Sequence, residues 1–431
     1  MLKRFPPKVN NMEELKKLQL ERLKWTVNHA YNNCDFYRKK FDEAGVKPED
    51  IKSLDDIVKL PFTTADDLRA GYPFPLRSVD FKDIVRIHAS SGTTGKRKIM
   101  CYTQKDIDDW LYMFARCYEM AELTPEDRVQ ICVGYGVWTA GAGFQLACEK
   151  FGAMAIPTGP GNLDMQIEFL IDFQSTVMCC TASMALLMAE EIYRRGIKDK
   201  INLKKIILGS ERTSDAIIRK IKEHSGAEEI FDIPGMTELY GPGTGLDCKY
   251  HTGIHYWADF YILEIIDPET LKPVAPGEIG EMVYTTLWKE AAPLVRFRSR
   301  DLTKLIEGDD CPCGCFLPRH DKILGRSDDM FIFRGVNIYP GSIDTILSQI
   351  NGIGSEYQVI LERRDDGKDY MILKVERAED GDSSQDKKLA REINFEIKKR
   401  LLVNTIVEIV DYRSLPRSER KTKRIFDNRK I

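Results

Sequence analysis

Apolar residues near the start of the chain recur at helical spacing. Leu20, Leu23, Val27, Ala30 and Tyr31 stand at offsets of 0, 3, 7, 10 and 11, one stripe of an amphipathic helix. Further on the period shortens. Val129–Val133 is a β-rich run that ends at Gly134, and Lys205–Leu208 is another that ends at Gly209, with a helical pattern over Asp215–Glu223 behind it. Such runs alternate with helical patterns to about residue 325. That alternation predicts a largely parallel, doubly wound α/β architecture, in which ligands collect at the carboxyl ends of the strands.

The tail follows a different pattern. Glu356–Glu362 and Asp369–Glu376 alternate as strands do, and the turn-forming Arg-Arg-Asp-Asp-Gly-Lys joins them. A charged stretch, Glu379–Lys387, leads to a helix near Lys388–Leu402 and a strand at Thr405–Val410. The order strand, strand, helix, strand predicts a small α+β domain of about 100 residues. Its boundary is placed near Gly325–Asp329, giving domains 1–326 and 327–431.

Composition narrows the function classes. The 431 residues are 43% hydrophobic and 30% charged, with 64 basic against 67 acidic side chains and a net charge of −3. So balanced a chain has no overall field for gathering nucleic acid or anionic membrane. No stretch approaches the roughly 18 apolar residues of a membrane span. The first residues carry no apolar core behind their basic ones, so no signal peptide is read, and the cytoplasm is the expected compartment. Eleven cysteines is an odd count in a chain large enough to need no disulfide scaffold.

The sharpest local signal is Ala89-Ser-Ser-Gly-Thr-Thr-Gly-Lys-Arg-Lys98. Glycines and small hydroxyl residues in series let backbone N–H groups approach a polyphosphate, with hydroxyl and lysine donors completing the cradle. It is not a Walker A loop, because two residues rather than four separate Gly92 from Gly95.

Ser90–Lys96 resembles the phosphate loop of the adenylate-forming superfamily, and the surrounding Arg86–Lys96 resembles its phenylacetate–CoA ligase branch. The likeness recurs in order along nearly the whole chain: Gln19–Val27, Pro61-Phe-Thr-Thr, Gly134-Tyr-Gly, Gly235-Met-Thr-Glu238, Ile265–Thr270 and Gly277–Glu281. It continues through Arg296–Asp301, Gly325–Asp329, Arg334-Gly-Val-Asn337 and Pro416-Arg-Ser-Glu. The resemblance implies a large N-terminal α/β domain of the acetyl-CoA-synthetase kind with a small mobile α+β C-terminal domain.

It also implies a chemistry. A carboxylate attacks the α-phosphate of ATP, pyrophosphate leaves, and the acyl-adenylate is taken by the thiol of coenzyme A. Such a transfer needs charge neutralisation and alignment more than covalent help. By the resemblance Ser90, Ser91, Gly92, Thr93, Thr94, Gly95 and Lys96 hold the leaving phosphates. Ser210, Glu211, Asp232 and Thr237 belong to the ATP site, Asp301 accepts the ribose hydroxyls, and Arg326 supports ribose or phosphate. Glu238 holds Mg²⁺. Lys421 is the catalytic lysine, although Arg420 stands where the family has Gly and the basic tail also offers Lys423 and Lys430. Asp328 matches the hinge, and Arg334 and Gly335 face coenzyme A.

The acid pocket is assigned to Tyr135, Trp138, Gly209, Pro234, Gly235 and Met236, whose aromatic walls suit an aryl acid. Trp138 replaces a usual Phe and Pro234 a usual Tyr, so a smaller acid stays open. The remaining constellation is Cys311-Pro-Cys-Gly-Cys315 with Cys248-Lys-Tyr-His-Thr-Gly-Ile-His255 upstream. A tight thiolate turn plus a distant Cys/His pair suits tetrahedral zinc. The branch's similar turn makes Cys248, His255, Cys311 and Cys313 the structural ligands, with His251, Cys315 and His320 as competitors.

The expected activity is therefore ATP- and Mg²⁺-dependent ligation of a phenylacetate-like acid to coenzyme A. Its rivals are adenylation onto a non-CoA acceptor, ligation of a short hydroxy acid, and a non-catalytic nucleotide or nucleic-acid binder. The expected partners are small molecules, without nucleic acid or membrane, and a homodimer is allowed for.

Overall fold

Asn11 caps the first helix, Met12–Asn33, by accepting a hydrogen bond from the Glu14 N–H. The expected stripe is its packing face: Leu23, Val27 and Ala30 are buried, joined by Leu15, and Tyr31 and Leu20 sit at the margin. The chain is described by a computed structural model over residues 2–90, 96–211, 213–308, 311–328, 330–334, 336–364, 366–416 and 424–429. It divides into two compact units, one of residues 1–180, 200–210 and 228–323, the other of residues 181–199, 211–227 and 324–431.

The first unit holds a five-stranded sheet in the order Met154–Ile156, Arg128–Ile131, Val177–Thr181, Lys205–Gly209, Glu229–Ile233. Parallel pairs run from Arg128↔Met154, Val129↔Val177 and Lys205↔Glu229. Every residue of Val177–Thr181 is buried, as an interior strand covered on both faces requires. Helices Thr139–Phe151 and Leu163–Asp172 follow their strands as crossover elements.

Beyond residue 234 the alternation expected from the sequence gives way to antiparallel strands. Tyr261–Ile266, Gly280–Thr286 and Phe297–Thr303 form one ladder. Leu305–Ile306, Arg319–His320, Ile254–Tyr256 and Gly245–Asp247 form another. Their connections carry no helix, which rules out parallel crossovers. Arg86–Ala89 and Ile99–Tyr102, the strands on either side of the phosphate-loop segment in sequence, pair antiparallel.

In the second unit Ile353–Arg363 and Asp369–Arg377 pair antiparallel through the expected turn. Helix Asp386–Leu401 buries Leu389, Ile393 and Ile397, spaced one turn apart on one face. Strand Ile406–Val410 then adds in parallel beside Asp369–Arg377. A further strand, Ile425–Asp427, adds in parallel to Ile353–Arg363 at the opposite edge. The core of this sheet includes Phe333, Ile343, Val359, Leu361, Leu373 and Val375. Helices Ala182–Arg195 and Asp215–Ser225 also belong to this unit and are tied by the Lys220–Glu190 ion pair at 2.8 Å. Among the described residues no helix is long and apolar enough to cross a membrane.

Candidate active site and metal centre

The phosphate-loop segment leaves one strand at Ala89 and rejoins the next at Ile99. Its stems are clasped where the Ser90 N–H donates to the Lys98 carbonyl at 3.1 Å and the Lys98 N–H donates to Ser90 Oγ at 3.3 Å. Ser91, Gly92, Thr93, Thr94 and Gly95 lie outside the described residues. Lys96 is exposed, its ammonium 5.1 Å from the centre of the Tyr72 ring.

Glu238 lies beyond the short strand Gly235–Met236 and is only 4% exposed. Its carboxylate is in ion-pair contact with the Lys98 ammonium. A second lysine underlies the same loop. Lys289 is fully buried, donates to Leu239 O at 2.7 Å and Glu238 O at 3.4 Å, and sits 4.8 Å from the ring centres of both Tyr102 and Tyr240. Burial pushes its ammonium down to about 8, against the pull of Asp106.

A cavity of about 40 Å³ opens beside this loop, at the carboxyl ends of the parallel strands. Trp138, Thr139 and Phe144 wall one side, Cys180, Gly209 and Ser210 a second, and Ile233, Gly235, Met236 and Thr237 a third. Two glycines hold these walls together. A Cβ on Gly209 would stand 2.4 Å from Ile233 O, and one on Gly235, whose φ is 156°, would stand 2.2 Å from Gly241 O. Two of the expected pocket residues do not line the cavity. The Tyr135 ring covers Gly141, where a Cβ would be 2.6 Å from Tyr135 Cγ, and Pro234 packs against Gly245.

The other expected nucleotide residues lie on several elements. The Asp232 carboxyl, on strand Glu229–Ile233, is pushed up to about 7 by burial, then by Asp247, with Lys322 opposing. Asp301 is half-buried in strand Phe297–Thr303, its N–H donating to Ser299 Oγ at 3.0 Å. Glu211 accepts from the Ser183 N–H at 2.8 Å, in the first turn of helix Ala182–Arg195. Arg326 and Asp328 bond each other through two contacts of 2.8 Å. Arg334 lies in a depression of about 550 Å³ with Arg363, Lys368 and Tyr370, and donates to Asp369 O at 3.0 Å. Gly335 and Lys421 lie outside the described residues, as do Arg420, Lys423 and Lys430.

The four sulfur and nitrogen ligands do converge. Cys248, at the end of strand Gly245–Asp247, His255, in Ile254–Tyr256, and Cys311 and Cys313 bring their ligand atoms within 4.8 Å of one another. Cys248 Sγ is 3.5 Å from Cys311 Sγ, far beyond a disulfide bond, and Cys313 Sγ is 3.3 Å from His255 Nε2. With metal–sulfur bonds of about 2.3 Å a tetrahedron has S···S edges of about 3.8 Å, so the spacing suits a shared cation. His255 Nδ1 is 3.0 Å from Leu317 O, which turns the lone pair of Nε2 inward. The Cys313 hydrogen bond holds the Cys248 thiol well below its usual range, against burial. Burial alone lowers His255, yet the neighbouring thiols, Cys248 first, push it up to about 10. Two competitors are engaged elsewhere, His251 with Asp247 at 2.5 Å and His320 with Asp321 O at 2.7 Å, whereas the Cys315 thiol stays beside His255 and its N–H donates to Cys313 Sγ at 3.4 Å.

Residue type alone did not single out Lys98 or Lys289. Lys98 is the last lysine of a motif read for its Ser, Thr and Gly residues, and Lys289 is a lone cation in the otherwise unremarked Thr285–Val295 stretch.

The AMP-binding enzyme family matches residues 11–287, and the AMP-binding enzyme C-terminal domain matches residues 335–429. The chain is 39% identical to the phenylacetate-coenzyme A ligase of Escherichia coli (strain K12), with 99% of this chain and 98% of that protein aligned. It is 37% identical to the phenylacetate-coenzyme A ligase of Pseudomonas putida, over 98% and 96% of the two chains. The crystal structure of 2-hydroxyisobutyryl-CoA ligase in the postadenylation state with 2-HIB-AMP superimposes with a TM-score of 0.89 at 27% identity, covering 99% of this chain and 91% of that one. Matched in both units and along its length, the chain belongs to the AMP-binding enzymes, in the phenylacetate–coenzyme A ligase family.

Proposed function

We propose that this protein joins a phenylacetate-like carboxylic acid to coenzyme A at the expense of ATP, through an acyl-adenylate, releasing AMP and pyrophosphate. The observation that carries the reading is a cavity with Trp138 and Phe144 on one wall and polar groups of Ser210 and Thr237 on the others, directly beside the loop that buries Glu238. An arene fits apolar and aromatic walls, and its carboxylate would emerge where the backbone of Gly209, Ser210 and Thr237 supplies polar groups. Glu238, a buried oxygen ligand with an ammonium already drawn to it, suits Mg²⁺, whose charge would offset that of the polyphosphate. Ser90 and Lys96, with residues 91–95, would face the leaving phosphates, and Asp301 the ribose. Lys421 would stabilise charge on the α-phosphate and carboxylate oxygens. Arg334 would meet coenzyme A, and Asp328 would act as hinge.

Cys248, His255, Cys311 and Cys313 would hold Zn²⁺ with no open position, a staple between strands and not a reaction centre. A second reading has a specific support. The cavity measures about 40 Å³, against about 150 Å³ for one that admits benzene, so any acid must displace a wall and a short acid would displace Trp138 less than an arene. The 2-hydroxyisobutyryl-CoA ligase likeness points the same way.

The test is a panel of phenylacetate, benzoate, indoleacetate and 2-hydroxyisobutyrate, scored for pyrophosphate and AMP release with and without coenzyme A. Phenylacetate as best substrate, with AMP release dependent on coenzyme A, is expected. Preference for the hydroxy acid selects the second reading. AMP release indifferent to coenzyme A would replace both with a different acceptor.

A further inference from the structure

Lys98 is paired with the carboxylate that the proposed function gives to a metal ion. Its ammonium is in ion-pair contact with Glu238 Oε1, the side chains being 19% and 6% exposed. Among the described residues that oxygen accepts no well-aligned hydrogen bond. A carboxylate this buried is costly without a counter-charge, and here the chain itself supplies one. The supply is anchored: Lys98 is clasped through its backbone to Ser90, so its side chain starts from the exit stem of the phosphate-loop segment.

We infer that Lys98 is a resident cation that reserves Glu238 until nucleotide arrives. The inference rests on Glu238 being the metal carboxylate. An ammonium and a divalent ion repel each other strongly when drawn to one carboxylate oxygen, so in the nucleotide-free protein Lys98 competes with metal for Glu238. A triphosphate changes the balance. Its oxygens offer the ammonium another anion within reach of the same stem, and the amine stays paired as it leaves the carboxylate. Glu238 is thereby released for metal at the moment a polyphosphate is present to share it. No bond is made or broken; one ion pair exchanges for another. Metal loading and nucleotide loading become coupled, and each raises the affinity of the other.

Mn²⁺ serves as the probe, its free concentration read by electron paramagnetic resonance. The wild-type chain and the variants Lys98→Met, Lys98→Gln, Lys98→Arg, Glu238→Gln and Lys98→Met/Glu238→Gln are titrated without nucleotide and with α,β-methylene-ATP. Without nucleotide, Lys98→Met should bind Mn²⁺ about tenfold tighter than wild type, Lys98→Arg like wild type, and the double variant should lose the gain. With the analogue the gap between Lys98→Met and wild type should shrink to about twofold or less. Lys98→Gln keeps a donor for Glu238 and gives the same comparison where the methionine variant folds poorly.

Equal Mn²⁺ affinity of wild type and both uncharged variants without nucleotide overturns the inference, as does a gap that nucleotide leaves unchanged. If Glu238→Gln in the wild-type background leaves nucleotide-dependent Mn²⁺ binding intact, the metal-carboxylate reading itself fails. A purely structural Lys98 would lower the melting temperature on truncation and leave the Mn²⁺ isotherm where it was.

Discussion

Arg116 and Asp259 meet side by side in the interior, Nη1 to Oδ1 and Nη2 to Oδ2, both at 2.9 Å and both side chains fully buried. The remaining donors are used as well. Arg116 also reaches Phe5 O and Pro6 O at 3.0 Å, Lys8 N–H donates to Asp259 Oδ2, and Arg22 donates to Asp259 O at 2.6 Å. One two-pronged pair therefore fastens the N-terminal segment, helix Gln104–Met120 and the entry to strand Tyr261–Ile266. Removing one partner strands the other charge. Asp259→Ala should lose about 3–5 kcal/mol in urea unfolding, while Arg116→Met with Asp259→Leu should recover most of it. A single-variant loss below about 1 kcal/mol would mean that water or another anion already serves Arg116.

The metal reading makes a ligand-by-ligand prediction. Purified without chelator, the protein should carry about one zinc per chain by elemental analysis. Cys313→Ser should lose most of that zinc and melt several degrees lower. Cys315→Ser should keep it, because the Cys315 sulfur is not among the four ligand atoms that converge. Zinc-free wild type would remove the staple; zinc lost from the Cys315 variant would move the ligand set.

Acid should weaken the fold through His88. The ring is 2% exposed, stands edge-on to Tyr102 and Trp110, and has Nδ1 3.2 Å from Val137 O. Among the described residues Nε2 is buried without a partner, so a second ring proton has no acceptor. Burial pushes the ring down to about 4, against its ordinary 6.5, with only the Val137 contact opposing. Between these values the unfolded chain binds the proton and the folded chain does not. His88 thus contributes stability above pH 6.5 that is lost as the pH falls towards 4. By pH 5 the loss should be roughly 2 kcal/mol, and a His88→Phe variant should lack that part of the slope. Parallel pH profiles for the two proteins would show that the native ring titrates normally.

Trp138 should set the size of the acid. It lines the cavity together with Thr139 and Phe144. Trp138→Ala should raise kcat/KM for bulkier aryl acids about tenfold relative to the shortest acid, since one wall group is worth about 1–3 kcal/mol of discrimination. Unchanged selectivity across the acid panel would make Trp138 a packing residue alone.

Much of this site could be read in sequence where residue type carries the chemistry locally. Cysteine and histidine at tight spacing pointed to a metal cluster, the resemblance to the branch chose its four members, and glycines ending β-rich runs marked the carboxyl end of the sheet where Gly209 lies. Ion pairs made by folding were not legible. Lys98 and Lys289 look like surface lysines until Glu238 and the Tyr102 and Tyr240 rings are brought to them. Tyr135 is expected as a pocket wall from its place in the Gly134-Tyr-Gly motif, and in the structure its ring lies over Gly141, which has no side chain to exclude it. Strand Ile425–Asp427 escaped because three residues within a basic run have no period, and only the free edge of Ile353–Arg363 makes them a strand.

The hinge reading turns on Asp328 and its partner. The Arg326 fork grips the Asp328 carboxylate through Nε and Nη2, both at 2.8 Å, yet the side chains are 43% and 51% exposed. A pair so exposed adds little stability, at most about 1 kcal/mol, so losing it leaves the fold intact. What a hinge needs from residue 328 is backbone freedom, because a few residues at such a point absorb the change in φ and ψ. Asp328→Pro removes that freedom by fixing φ near −65°, whereas Asp328→Ala removes only the carboxylate. The proline variant should retain one half-reaction, read as ATP–pyrophosphate exchange or as thioester formation from supplied acyl-adenylate, and lose the other by a factor of about 100 or more. The alanine variant should keep both within about tenfold. Equal loss of both half-reactions in the proline variant, with a normal melting temperature, would assign Asp328 to the reaction site, and retention of both would deny it a part in the cycle.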